Sequence, residues 1–153
     1  MKKLVIAFFL LAACSSPKEQ KNTVSEQNMP VQETPKSPDQ STIEGFWQVF
    51  KEAVLAKNTE KTAQLSLFPC QGVGYLFSDS ADATQEDFIK NFDTIFDKES
   101  IEQIQKTNLP QKNEDGTYFF DVMYKDEQGE SMKRFVFKQI DGKFLFAECQ
   151  IAG

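Results

Sequence analysis

The sequence predicts an α+β domain in which N-terminal helices pack on a curved antiparallel sheet, with a disordered tether ahead of it. Three observations predict this. Apolar residues recur at helical intervals between Ile43 and Ile104, the period changes to two from Tyr118 onward, and residues 15–41 hold almost no large apolar group. The first two patterns mark amphipathic helices and strands with alternating faces. The third segment cannot offset the entropy of ordering a chain.

The helices come first. Ser41 and Glu44 have capping-box spacing, and Ile43, Phe46, Trp47, Phe50, Ala53 and Val54 then form one stripe, so a helix is expected over about residues 42–57. Thr59 is the expected cap of a short second helix carrying Ala63 and Leu67, which Pro69 stops after Phe68. Residues 70–83, with two Gly and several Ser and Asp, read as a loop with a short strand near Val73–Phe77. Thr84 caps another helix with Phe88, Ile89, Phe92, Ile95 and Phe96 on one face. A further turn or two runs through Ile101 and Ile104 and ends before Pro110.

Three strands are expected over about residues 117–125, 130–140 and 143–151, joined by Asp126-Glu127-Gln128-Gly129 and by Asp141-Gly142. A two-residue turn at Asp141-Gly142 sets Phe137 opposite Phe146 and Val136 opposite Ala147. A four-residue turn at 126–129 pairs Lys125 with Glu130, Asp121 with Arg134 and Phe120 with Phe135, so opposite charges meet and rings meet rings. One face then carries Tyr118, Phe120, Phe135, Phe137, Phe144 and Phe146, with Glu148 beside them. The other carries Met123, Met132, Val136, Leu145, Ala147, Cys149 and Ile151. Two apolar faces are expected of a curved sheet partly covered on each side or facing a partner. Whatever part of the ring face the helices leave open is the candidate contact surface for an apolar ligand, a peptide or a second copy.

Ahead of the domain, Met1-Lys2-Lys3 is followed by apolar residues from Leu4 to Leu11 and by Ala12-Ala13-Cys14. A positive start, a short apolar stretch and small residues before a cleavage point are the parts of a secretory signal, and the stretch is too short to span a bilayer. Leu11-Ala12-Ala13-Cys14 resembles the lipobox of bacterial lipoproteins. That resemblance implies cleavage after residue 13, diacylglycerol on the Cys14 thiol, and attachment to a membrane. Residues 14–41 then form the lipidated start and the tether, which contains Pro17, Pro30, Pro35 and Pro38 and spans roughly 30 Å on average as a flexible coil. Ser15 and Ser16 lack the Asp that retains enterobacterial lipoproteins at the inner membrane, so the resemblance favours the outer membrane, on its periplasmic or surface face. The globular domain occupies residues 42–153. Export places Cys70 and Cys149 in an oxidising compartment as the two thiols left once Cys14 is lipidated. A disulfide between them is expected; two separate buried thiols are the alternative.

Composition excludes several chemistries. The chain has no His, which removes Ser-His and Cys-His nucleophiles and the commonest transition-metal ligand. Two thiols do not complete a zinc site without carboxylates, so no metal and no cofactor are expected. With 17 basic and 23 acidic side chains, and Lys133-Arg134 as the nearest approach to a basic cluster, read as exposed strand charge, nucleic acid is not an expected partner. No nucleophile elbow or phosphate-cradling Gly loop is present. No catalytic residues are therefore assigned.

Phe46-Trp47, Phe50, Ala53, Phe68-Pro69, Phe88, Phe92, Ile95-Phe96, Gly142-Lys143 and Ala152-Gly153 together resemble the nuclear transport factor 2-like superfamily, and within it small secreted lipoproteins of unassigned activity. The resemblance implies a cone-like fold whose helices lean on a curved sheet around a pocket. Enzymes of that superfamily place carboxylates with Tyr or His in the pocket, and the absence of His rules out the dehydratase-like pattern. The expected function is an envelope lipoprotein whose domain binds a small apolar ligand or a protein partner without catalysis. The alternative is a small lyase- or isomerase-like enzyme that pairs a Tyr such as Tyr118 or Tyr124 with a carboxylate such as Glu148.

Overall fold

A computed structural model of the chain describes residues 38–127 and 129–153. The expected export segment, Cys14 and the tether up to residue 37 lie outside the described residues. The domain is α+β. In chain order it runs α1 (Ile43–Leu55), α2 (Thr59–Gln64), β1 (Ser66–Gln71), a 3₁₀ turn (Val73–Leu76), α3 (Gln85–Lys90), α4 (Phe92–Ile95), α5 (Lys98–Lys106), β2 (Gln111–Lys112), β3 (Tyr118–Asp126), β4 (Gly129–Ile140) and β5 (Lys143–Ala152).

α1 starts one residue later than the Ser41 cap suggests, because the Thr42 hydroxyl accepts from the Gly45 N–H at 3.2 Å. Its end is a reversal in which the Lys57 and Asn58 N–H groups donate to the Val54 and Ala53 carbonyls. Lys57 supplies the left-handed residue this closure requires, with φ 53°. Its buried stripe is the one expected: Ile43, Phe46, Trp47, Phe50, Ala53 and Val54. Asn58 rather than Thr59 caps α2, its side chain accepting from the Lys61 N–H. Thr84 and Asp87 form the capping box of α3. The single aromatic helix expected after Thr84 is interrupted at Asn91, whose side chain donates to the Asp87 carbonyl at 2.8 Å.

The sheet has the order β1-β5-β4-β3-β2. β3, β4 and β5 form an antiparallel meander, and β2 adds antiparallel to β3. β1 is the departure from expectation, because Phe68-Pro69 lies within a strand that pairs parallel to β5 instead of ending a helix. An edge position accommodates Pro69, which has no N–H to give to a ladder. β1 also buries Cys70 in the core. The strand expected near Val73–Phe77 is a 3₁₀ turn over Val73–Leu76, since Gly72 turns the chain with φ 70° at a point where a Cβ would stand 1.9 Å from the Cys149 carbonyl oxygen.

Ladder register follows the sequence closely. Lys125 pairs with Glu130, Asp121 with Arg134, Phe120 with Phe135, and Phe137 with Phe146. Asp141 and Gly142, both with positive φ, make the two-residue turn. One pair differs: Val136 faces Glu148, and Ala147 is left as an extra residue in β5. This β-bulge exchanges the faces of the residues beyond it.

Candidate functional site

The expected ligand face is the core of the molecule. Phe120, Phe135, Phe137, Phe144 and Phe146 are all buried beneath the helices, where Phe137 meets Phe50 edge-on at 5.3 Å and Phe135 stacks on Phe120 at 4.8 Å. Phe96 stacks on Phe135 at 5.5 Å, and Trp47 reaches Phe120 at 5.5 Å. The physical reason is volume. α1 and α4 bring Phe46, Trp47, Phe50, Phe92 and Phe96 onto the same surface, so rings fill the space that the cone-like expectation left for a ligand. Tyr118 is half-buried and lies edge-on to Phe144 at 5.5 Å. These residues are a packed interior and not an open contact surface.

Glu148 and Cys149 change places relative to expectation. The Ala147 bulge turns Cys149 into the helix-side core, opposite Phe135, and sets Glu148 opposite Val136. Glu148 there accepts from Lys138 at 2.9 Å and from Gln150 at 2.9 Å. Partial burial opposes its charge, and these two bonds more than offset it, holding the carboxyl below the usual range. Its hydrogen-bond partners are Lys138 and Gln150 and not a Tyr, so the Tyr–Glu148 pair is not formed. Cys70 and Cys149 are both buried free thiols in this structure, without the expected bond. They belong to neighbouring strands, on either side of the Gln71–Glu148 pair. Burial pushes the Cys70 thiol far up and that of Cys149 up to about 12, so neither is a nucleophile near neutrality.

Outside the expected set, one buried polar constellation stands out. Lys133 has the same strand parity as Phe135 and Phe137 and so points under the helices, with its side chain only 6% exposed. This corrects its reading as exposed strand charge. Its ammonium donates to Asp97 Oδ2 at 2.6 Å and to the Ile95 carbonyl at 3.3 Å, and sits 5.3 Å from the Tyr124 ring centroid. Tyr124 donates its hydroxyl to Asp97 at 2.8 Å, and the Ser100 N–H donates to Asp97 Oδ1 at 2.9 Å, since Asp97 is also the cap of α5.

The electrostatics follow from these partners. Burial disfavours the Asp97 carboxylate, but donors from Lys133, Ser100 and Tyr124 outweigh it and hold Asp97 below the usual carboxylate range. Burial likewise lowers the Lys133 ammonium, and Asp97 and Tyr124 outweigh that, so its pKa lies above the ordinary lysine value. Tyr124 is raised, mainly by burial. A carboxylate, a phenol and an ammonium in contact are the raw material of acid–base chemistry. Here they are spent on one another, and no buried polar side-chain atom among the described residues lacks a partner. An inward-facing charge at position 133 of an otherwise ring-bearing row was the signal in the sequence that could have found this cluster.

The outer face of the sheet carries two ion pairs. Arg134 makes a two-pronged contact with Asp121, at 2.7 and 2.9 Å, and lies 4.0 Å over the Phe119 ring. With Lys138–Glu148 this pair flanks Val136, which is buried without belonging to the helix-side core. Among the described residues, no group of His, Cys, Asp or Glu is placed to hold a metal ion, and no helix is long and apolar enough to cross a membrane.

No family model and no curated protein matches the chain. Among solved structures it is similar to one from Xanthomonas campestris described as a calcium/calmodulin dependent protein kinase II association domain, with a TM-score of 0.37 and 16% identity over 69% of this chain and 80% of that one. A likeness at that level assigns neither family nor function.

Proposed function

We propose that this chain is a lipid-anchored protein of the bacterial envelope whose α+β domain is a non-catalytic module that engages a ligand or protein partner on its outer surface. One observation carries the reading of the domain: the helix-side face, where a pocket would have to lie, is filled by interlocked Phe rings from both layers. The anchor rests on Lys2-Lys3, the apolar stretch and Leu11-Ala12-Ala13-Cys14. More than one acyl chain on Cys14 would give stable attachment where a single chain is marginal. The tether would then carry the domain clear of the membrane surface.

A second reading, a lyase- or isomerase-like enzyme, is favoured by the Tyr124–Asp97–Lys133 contacts alone. It requires substrate to displace Lys133 and Tyr124 from Asp97, to which both are hydrogen-bonded. Both readings are tested together. Cells labelled with a palmitate analogue should yield a labelled protein in the membrane fraction, and Cys14→Ala should be unlabelled and released. The native protein should leave the fluorescence of an anilinonaphthalene sulfonate dye unchanged. Membrane retention of unlabelled Cys14→Ala would overturn the anchor, and strong dye binding by the native fold would overturn the filled interior.

A further inference from the structure

We propose that a second copy of this chain pairs antiparallel with the open edge of β3, on a two-fold axis through Met123. β2 covers β3 only at Tyr118 and Phe119. Among the described residues, the stretch from Phe120 to Asp126 has no strand on that side. Phe146 donates its N–H to Leu65 on the β1 side of β5, so Phe137 opposite it turns its backbone groups to β3, and Tyr118–Phe137 is a hydrogen-bonded pair. Alternation along the antiparallel ladder then turns the backbone groups of Asp121, Met123 and Lys125 away from β4, toward the open edge.

The occupant is argued from charge. In an isologous pairing each residue meets its mirror about the axis. Centring on Met123 sets Asp121 against Lys125 of the second copy, and Lys125 against its Asp121. Within one chain Lys125 already meets Glu130 at 3.0 Å, and Arg134 meets Asp121 at 2.7 Å. The assembled row therefore reads Glu130, Lys125, then Asp121 and Arg134 of the second copy, alternating in sign across four strands. Beside it Met132, already opposite Met123, extends an apolar row through the axis. Registers centred on Asp121 or on Lys125 set a like charge against itself, which destabilises, and those centred on Val122 or on Tyr124 set Asp121 or Lys125 against Met123, so none of the four forms the Asp121–Lys125 pair. Met123 is 61% exposed. A groove of about 280 Å³ between α5 and β3, lined by Glu99, Glu102, Gln103, Lys106, Asp121 and Met123 among others, gives the incoming strand room.

The test is the native mass of the full chain, carrying Cys14→Ser so that no acyl chain drives association. The parent should be a dimer at high concentration. Met123→Lys and Met123→Glu should each halve the mass, by placing like charges on the axis, and mixing the two should restore the dimer. A parent that stays single, a charged variant that stays paired, or a mixture that stays single would each overturn the proposal. Should either variant lose its near-ultraviolet circular dichroism, Met123→Cys with a short bismaleimide supplies the readout. A linked pair is expected there and not from Tyr75→Cys, which is equally exposed on the 3₁₀ turn; the reverse outcome would overturn the pairing.

Discussion

Lys133 and Asp97 meet at 2.6 Å at the point where α5 begins, and their protonation sets limits on stability at both ends of the pH scale. Asp97 is held below its ordinary value when folded. Its contribution is therefore present above about pH 4, the unfolded carboxylate value, and lost as pH falls through the folded value. Lys133 is raised, so its contribution is present below about pH 10 and lost as pH rises through the folded value. Asp97→Asn should lower unfolding stability near neutrality by about 3 kcal/mol, toward the low end for breaking a buried pair because Asp97 keeps some solvent contact. Urea midpoints measured from pH 3 to pH 8 should also show a shallower acid-side loss than the parent. An unchanged midpoint would mean that solvent already screens the pair.

At the scale of elements, two glycines with similar backbone angles should respond very differently to a methyl group. Gly72 has φ 70° and Gly142 φ 78°. A Cβ at Gly142 meets nothing within 4 Å, whereas one at Gly72 would collide with the Cys149 carbonyl of β5. Gly142→Ala should cost about 1 kcal/mol, the backbone strain alone. Gly72→Ala must in addition push β1 away from β5, and should cost well above that figure in the same thermal or urea unfolding measurement. Equal costs would show that the β1–β5 contact is soft. The difference separates the two ends of β5: its first turn is a free hairpin, and its later part is wedged against the chain that enters the 3₁₀ turn.

For the whole molecule, the sheet divides an aromatic interior from an outer face that carries ion pairs. Phe137 is fully buried and touches Phe46, Phe50, Trp47, Phe120 and Phe146. Phe137→Ala should cost about 3–5 kcal/mol through lost transfer and the cavity left behind. Phe119, on the other face beneath Arg134, should cost only about 1 kcal/mol when changed to Ala, for the loss of a half-exposed ring and a surface cation–π contact. Calorimetry of the two variants ranks the faces, and a reversed order would place the core on the wrong side of the sheet.

Much of this architecture is local and was legible in the residues. The stripe of α1, the Thr84 cap, the Asp141-Gly142 turn and the β3–β4 register all follow from hydrogen bonds and side-chain periods within a few positions or across one hairpin. What tertiary structure alone decided lies where distant segments compete for the same space. Periodicity shows two apolar faces, but not which of them α1 and α4 will cover. Nor does it show that β1, folded against the later part of β5, accompanies a single extra residue at Ala147. That one residue reverses the parity of the strand, moving Glu148 out of the ring-bearing face and Cys149 into it. The same limit hid the Lys133 cluster: a charge in the interior is stable only if a partner arrives from elsewhere in the chain, and Asp97 comes from a helix 36 positions away.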